Sequence, residues 1–197
     1  MELDLAIKNR RSVRQYLDKK VESNNINFIL DAAKYAPNSG NKQFWHFIVV
    51  EDLNKREQIT EACIGQDWMK TAPVFIVISY NFEDCKRFYE ERAEMYGMQD
   101  SALAAQNIML KAYDIGLSSC FVSLFEENAI KRILKIPNNM KFYSIITIGY
   151  SNEVTQAKRT DLRNLVSFDE YKGKKSFTSI FPIKKTIERI KGRFRRK

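Results

Sequence analysis

A chain of 197 residues with 44% hydrophobic and 12% aromatic residues, but only 7 Gly and 4 Pro, carries enough apolar material for one packed core, which excludes a fibrous or disordered class. Its three cysteines, Cys63, Cys85 and Cys120, are distant, odd in number and never in a C-x-x-C pair; this excludes a disulfide framework or zinc knuckle and points to a reducing, cytoplasmic setting. The formal charge of +9 is lopsided, since eight Lys/Arg from Lys184 to Lys197 face one acid, Glu188, so the body is near neutral and no nucleic-acid groove is expected.

The opening Met1-Glu2-Leu3-Asp4-Leu5-Ala6 places acids where a signal peptide needs basic residues, and no apolar run reaches the ~18 residues of a membrane span; a soluble, unprocessed chain is expected. A short helix-like stretch leads into Arg10. Ser23 or Asn24 is predicted to cap a helix whose apolar positions Ile26, Ile29, Leu30 and Ala33 recur at helical spacing, until Pro37 and the polar residues after it break it. Phe47–Val50, Val74–Ile78, Ser119–Val122 and Tyr143–Ile148 are short apolar runs, rich in β-branched residues, that read as strands covered on both faces. Helices are predicted over about 53–63, 83–96, 101–115 and 126–135, the third apolar around its whole circumference and ended by Gly116. The interspersed strands and helices give an α/β or α+β sandwich. No repeat or linker divides the chain; residues 1–180 are expected to form one domain and 181–197 a basic amphipathic tail. Such a tail can be an ordinary terminus packed on the body, or can contact an anionic membrane surface or an acidic partner.

Two segments carry candidate chemistry. Arg10-Arg11-Ser12-Val13-Arg14 gathers three guanidiniums and a hydroxyl that can clasp a phosphate through charge-assisted bonds, or can form a solvated basic face. Ala36 to Phe47, running through Pro37, Asn38, Ser39, Asn41, Gln43 and Trp45, is a polar loop entering a strand; its amides suit the edge of a planar ring, or it is an ordinary turn. His46 is the sole histidine, which excludes a multi-histidine metal site and leaves it structural between Trp45 and Phe47. Cys120 reads as a small buried hydrophobe. No G-x-G-x-x-G dinucleotide fingerprint occurs.

Taken in order, R-R-S-x-R and then A-P-x-S-x-N-x-Q-x-W-H-F resemble the N-terminal half of the nitroreductase family. The likeness continues through Gly65-Gln66-Asp67-Trp68, Thr71-Ala72-Pro73, Gln106-Asn107, Gly116-Leu117, Ile136-Pro137, Ile148-Gly149-Tyr150 and Lys158-Arg159, spanning roughly residues 5–170. The resemblance implies an α+β three-layer sandwich, with a central mixed, mainly antiparallel sheet flanked by helices, in an intertwined homodimer holding FMN at its interface. It implies that Arg10, Arg11 and Ser12 hold the FMN phosphate and ribityl chain and that Lys158 and Arg159 complete the phosphate site. Pro37, Asn38, Ser39, Asn41 and Gln43 of the other subunit would line the ring, with Gln66 a further candidate, and backbone N–H groups near Ser123 and Leu124 would face flavin N5. Arg14 would face the pyrimidine edge, where a fixed cation stabilises charge on the reduced ring. No metal is implied. The activity implied is a ping-pong transfer of two electrons from NADH or NADPH to a small planar acceptor such as a nitroaromatic, quinone or flavin. Alternatives are a flavoprotein fed by a protein donor, or a flavin-binding regulator with little turnover. Phe44 and Ser123 stand where the family usually has Pro and often Gly, which suggests a narrower ring pocket.

Overall fold

The computed structural model describes residues 2–173, which fall into two compact units, one through Gln156 and one from Ala157 onward. The tail expected over 181–197 lies outside the described residues. The first unit runs α1 (Leu3–Asn9), α2 (Ser23–Ala33), β1 (Trp45–Val50), α3 (Leu53–Ala62), β2 (Val74–Asn81), α4 (Phe82–Tyr89), α5 (Ala93–Asp114), β3 (Ser118–Val122), α6 (Glu127–Leu134) and β4 (Met140–Gly149). In the second unit, Asp161 accepts a hydrogen bond from the Arg163 N–H at 3.0 Å and so starts a single 3-10 turn, Leu162–Asn164.

The sheet order is β1-β2-β4-β3, each neighbouring pair antiparallel, and the parallel contact among the described residues is an isolated bridge between Ser12 and Ser119. Val74–Ile78 is unbroken in its apolarity because β2 is central and its alternate side chains enter two different cores. Phe75 and Val77 pack with Ile59 of α3, Ile130 of α6 and Ile145. Val74, Ile76 and Ile78 pack on the opposite face with Ile26 and Ile29 of α2 and Ala105 and Ile108 of α5. Each of these large side chains, withdrawn from water, contributes about 1.5–3 kcal/mol. The result is the expected sandwich of helices, antiparallel sheet and helices.

The structure departs from the sequence reading at several places. β1 is an edge strand and only partly covered, with His46 exposed. Glu22, not Ser23 or Asn24, precedes α2, and it makes no side-chain cap. Its carboxylate is instead engaged by the Tyr150 hydroxyl at 2.6 Å and the Asn25 amide at 3.0 Å, which fixes the helix entry one residue earlier. The helix expected over 83–96 is broken, because α4 stops at Tyr89, Glu90 takes φ 47°, and α5 begins at Ala93 and absorbs the helix expected from residue 101. Gly97 explains the continuation: a Cβ there would lie 2.3 Å from the Tyr80 ring, so only glycine lets α5 approach β2 this closely. Gly116 ends α5 as expected, at φ 82°, with its N–H donating to Tyr113 and the Leu117 N–H donating to Ala112, the paired bonds of a Schellman turn. All-round burial of α5 does not hold within one chain. Within the expected stretch 101–115 Leu103 is 43% exposed, and earlier in α5 Met95 and Met98 are 41% and 42% exposed.

Candidate functional site

The C-terminal end of α1 opens a cleft of about 200 Å³ lined by Asn9, Arg10, Arg11, Val13, Tyr113, Leu117, Ser118, Ser119, Glu153, Val154 and Thr155. The last carbonyls of a helix lack partners within it. Arg11 supplies some, its Nη1 donating to the Lys8 carbonyl at 2.6 Å and the Arg10 carbonyl at 2.8 Å. Its Nε is buried and has no hydrogen-bond partner. Arg11 is therefore half committed to closing α1, and one N–H of its fork remains for an anion. With Arg10, that orphaned donor and the hydroxyls of Ser118, Ser119 and Thr155 on the same wall suit a phosphate group. A whole dinucleotide-sized or flavin-sized ligand needs ~300–1,000 Å³, so this cleft suits one end of such a ligand.

The segment after Arg11 is pinned from both sides. The Val13 N–H donates to the Ser119 carbonyl at 3.1 Å, the Tyr16 N–H to the Thr71 hydroxyl at 3.3 Å and the Leu17 N–H to the Tyr150 carbonyl at 2.8 Å. Beneath it, the buried Tyr16 hydroxyl lies 2.9 Å from the Val13 carbonyl and 2.7 Å from Thr147 Oγ1, and burial pushes its pKa far above the ordinary value. Burial also pushes the Cys120 thiol up, against the pull of the Arg14 charge, the Ser12 hydroxyl and the Arg10 charge. Cys120 is thus the small buried residue expected. Arg14 is exposed, with its guanidinium 5.7 Å from the Trp68 ring centroid. That guanidinium makes no hydrogen bond or ion pair among the described residues. Between Arg10 and Arg14, the three guanidiniums that look equivalent in sequence have different surroundings.

The loop from Pro37 to Gln43 forms a separate cluster, and none of its residues lines the arginine cleft. Gly40, Asn41 and Gln43 all take positive φ, 59°, 56° and 47°, a conformation that costs non-glycine residues ~1–2 kcal/mol each. Two sets of bonds hold it. The Asn38 Oδ1 accepts from the Gln43 N–H at 3.2 Å, and the Gln43 amide donates to Asn41. Asp100 of α5, 3% exposed, accepts from the Ser39 N–H at 3.0 Å and the Ser39 hydroxyl at 3.0 Å. Phe44, expected to narrow a ring pocket, is buried: it joins the cluster around Tyr80 and Cys85, with its ring centroid 6.2 Å from that of Tyr89 and 5.9 Å from that of the exposed Phe88.

Gln66 bridges two further segments, its amide donating to the Cys63 carbonyl at 3.0 Å and the Leu124 carbonyl at 2.9 Å. It thereby brings Leu124, and Ser123 beside it, to the turn that carries Trp68 and hence toward Arg14. Ser123 and Leu124 are exposed. Lys158 and Arg159 belong to the second unit and are exposed. Sequence reasoning missed Glu153 and Asp100. Glu153 follows a strand end, where no periodicity marks it; Asp100 did leave a signal, an acid one turn before Ala104 on the apolar face of a helix.

The fold and the cleft define an α+β sandwich with a cleft lined by Arg10 and Arg11 at the end of its first helix. The nitroreductase family model matches residues 7–66 and 62–150. A provisionally named NADH dehydrogenase/NAD(P)H nitroreductase of Methanothermobacter thermautotrophicus is 34% identical over 152 residues, which is 75% of this chain and 76% of that one. The FMN reductase [NAD(P)H] of Bacillus subtilis is 25% identical over 159 residues, 74% of this chain and 64% of that one. The solved structure of an FMN-dependent nitroreductase from Clostridium difficile R20291 is 31% identical, with a TM-score of 0.73 over 84% of this chain and 98% of that one. The chain belongs to the nitroreductase family.

Proposed function

We propose that this chain is an FMN-dependent NAD(P)H oxidoreductase that works as a homodimer and passes two electrons, in a ping-pong cycle, to a small planar acceptor such as a nitroaromatic, a quinone or a flavin. The observation that carries the reading is the arginine cleft, where Arg10 and the orphaned Nε of Arg11 stand beside serine and threonine hydroxyls, in a chain whose relatives are named as FMN reductases and NAD(P)H nitroreductases. When bound, FMN supplies the redox chemistry, taking hydride from the nicotinamide and returning two electrons to the acceptor.

The chain's own residues bind and orient. Arg10, Arg11 and Ser12 hold the phosphate and ribityl end, and Arg14, whose guanidinium is uncommitted, sits at the pyrimidine edge and favours the reduced ring. Backbone N–H groups at Ser123 and Leu124 face the reacting edge, with Gln66 holding their loop in place. The partner subunit's Pro37, Asn38, Ser39, Asn41 and Gln43 line the ring. Two features support the dimer: a single chain's cleft is too small for the whole cofactor, and the face of α5 at Met95, Met98 and Leu103 is uncovered. Three free, buried cysteines are consistent with a reducing, cytoplasmic setting, and no helix among the described residues is long and apolar enough to cross a membrane.

The test is an absorbance spectrum of the purified protein, mass spectrometry of the small molecule released by heat, and stopped-flow reduction by NADH and by NADPH. Flavin bands, the mass of FMN and reduction by at least one donor are expected. A protein that refuses added FMN would refute the cofactor, and a bound flavin that neither donor reduces would refute the electron source.

A further inference from the structure

We infer that Glu153 is a positioning residue for Arg14, fixing where that guanidinium meets the flavin; the inference rests on the flavin reading above. Glu153 follows β4 and lines the same cleft as Arg10 and Arg11. Its Oε2 accepts from the Arg14 backbone N–H at 2.7 Å and its Oε1 from the Thr155 hydroxyl at 2.9 Å. The Gln15 N–H adds a favourable electrostatic contribution to the carboxylate. The carboxylate is itself held, since the Glu153 N–H donates to the Ser151 hydroxyl at 2.9 Å and that hydroxyl donates to the Gln15 carbonyl at 2.5 Å.

A carboxylate beside a guanidinium would ordinarily pair with it, in a bidentate, charge-assisted contact. Here it takes the main chain of Arg14 instead, and the guanidinium makes no hydrogen bond or ion pair among the described residues. The base of the side chain is thereby fixed while its charge stays available. The neighbouring bonds fall elsewhere: Val13 is tied to Ser119 and Tyr16 to Thr71, and between them the Arg14 N–H is held by Glu153 and the Gln15 carbonyl by the Ser151 hydroxyl. Burial pushes the Glu153 carboxyl up, but the Arg14 N–H, the Thr155 hydroxyl, the Gln15 N–H and the Arg14 charge outweigh it and hold the group below its ordinary value. Glu153 is therefore ionised at neutral pH, and its charge is directed onto main-chain donors.

The experiment compares wild type with Glu153→Ala and Glu153→Gln, by amide exchange at Arg14 and Gln15 in the absence of flavin and by the midpoint potential of bound FMN. In the Ala variant the two amides should exchange about tenfold or more faster, as expected for loss of a bond to a charged group. Reduced FMN should lose about tenfold more affinity than oxidised FMN, a fall of about 30 mV for a two-electron couple. The Gln variant keeps an acceptor oxygen and should recover protection and a potential at or above wild type. Faster exchange with an unchanged potential in the Ala variant would make Glu153 merely structural, and a raised potential there would mean that the flavin feels its charge rather than its hold on Arg14; either overturns the proposal. A wild-type chain that binds no FMN would fail before any variant is made, and would overturn the flavin reading together with this one.

Discussion

Replacing Asp100 with Ala tests whether the loop from Pro37 to Gln43 is held from beneath by a single carboxylate. Asp100 takes both donors of Ser39, the N–H at 3.0 Å and the hydroxyl at 3.0 Å, and forms no ion pair among the described residues. Two hydrogen bonds to a charged group are worth ~3–6 kcal/mol together if they add fully. Against them stand Asn41 at φ 56° and Gln43 at φ 47°, which cost ~2–4 kcal/mol as a pair, and the burial of an uncompensated charge. The margin is small, so the loop should open locally once the latch is lost. We expect Asp100→Ala to destabilise the protein by about 1–3 kcal/mol, to expose the Ser39 amide to exchange and to weaken FMN binding. Asp100→Asn keeps an acceptor oxygen without the charge and should fall between wild type and Ala, since bonds to neutral acceptors are roughly half as strong. Urea unfolding, amide exchange at Ser39 and a flavin titration read the three effects. An Ala variant as stable as wild type or more so, with Ser39 still protected, would refute the latch and show that desolvation of Asp100 outweighs its bonds.

Arg10→Ala should leave the fold intact and weaken FMN retention by about 1.5–3 kcal/mol, one charge-assisted phosphate contact; unchanged affinity by fluorescence titration would remove Arg10 from the site. Gly97→Ala should destabilise by about 1–3 kcal/mol, because its Cβ would meet the Tyr80 ring at 2.3 Å and α5 must retreat from β2; a wild-type unfolding midpoint would mean the helix shifts at no cost. Stability should fall as pH rises above 9: burial pushes the Cys63 thiol from its ordinary 9.0 up to about 12, so over that window the unfolded chain has lost a proton the native chain keeps. The Tyr16 hydroxyl, raised by burial, adds to the loss in the same sense. Cys63→Ala should flatten part of this slope in urea midpoints taken between about pH 8 and about pH 10.5, and an unchanged slope would assign the loss to other groups.

How legible the fold was in the sequence depended on whether local pattern and tertiary packing agreed. Val74–Ile78 announced itself because a strand buried on both faces has no polar position to break the run. Gly116 did so because the chemistry of a helix end is local. The break between α4 and α5 was hidden: Glu90, Glu91 and Arg92 are ordinary helix formers, yet Glu90 takes φ 47°, and nothing in the local pattern marks it. The burial of Phe44 was hidden for a related reason, since the cluster it joins, with Tyr80, Cys85 and Ala93, lies more than 30 residues later. The partners of Asp100 and Glu153 were invisible because each acts on a backbone distant in sequence, Asp100 on Ser39 and Glu153 on Arg14; only Asp100 left a local trace, as an acid on an apolar helix face.

The same distinction separates the arginines, and it bears on how the site works. Read as a string, Arg10-Arg11-Ser12-Val13-Arg14 offers three interchangeable cations. Their roles diverge because α1 ends at Asn9: Arg11 then faces carbonyls left without partners and turns back to meet them, while Arg14 lies beyond the bridge to Ser119 and beside Trp68. A helix one turn longer would move Arg11 onto the helix body and take Arg14 off the segment that Glu153 grips. The position of the α1 terminus therefore decides that Arg11 commits part of its fork to the helix end, while the Arg14 guanidinium makes no hydrogen bond or ion pair among the described residues. Lengthening α1 should impair flavin binding even with every arginine retained.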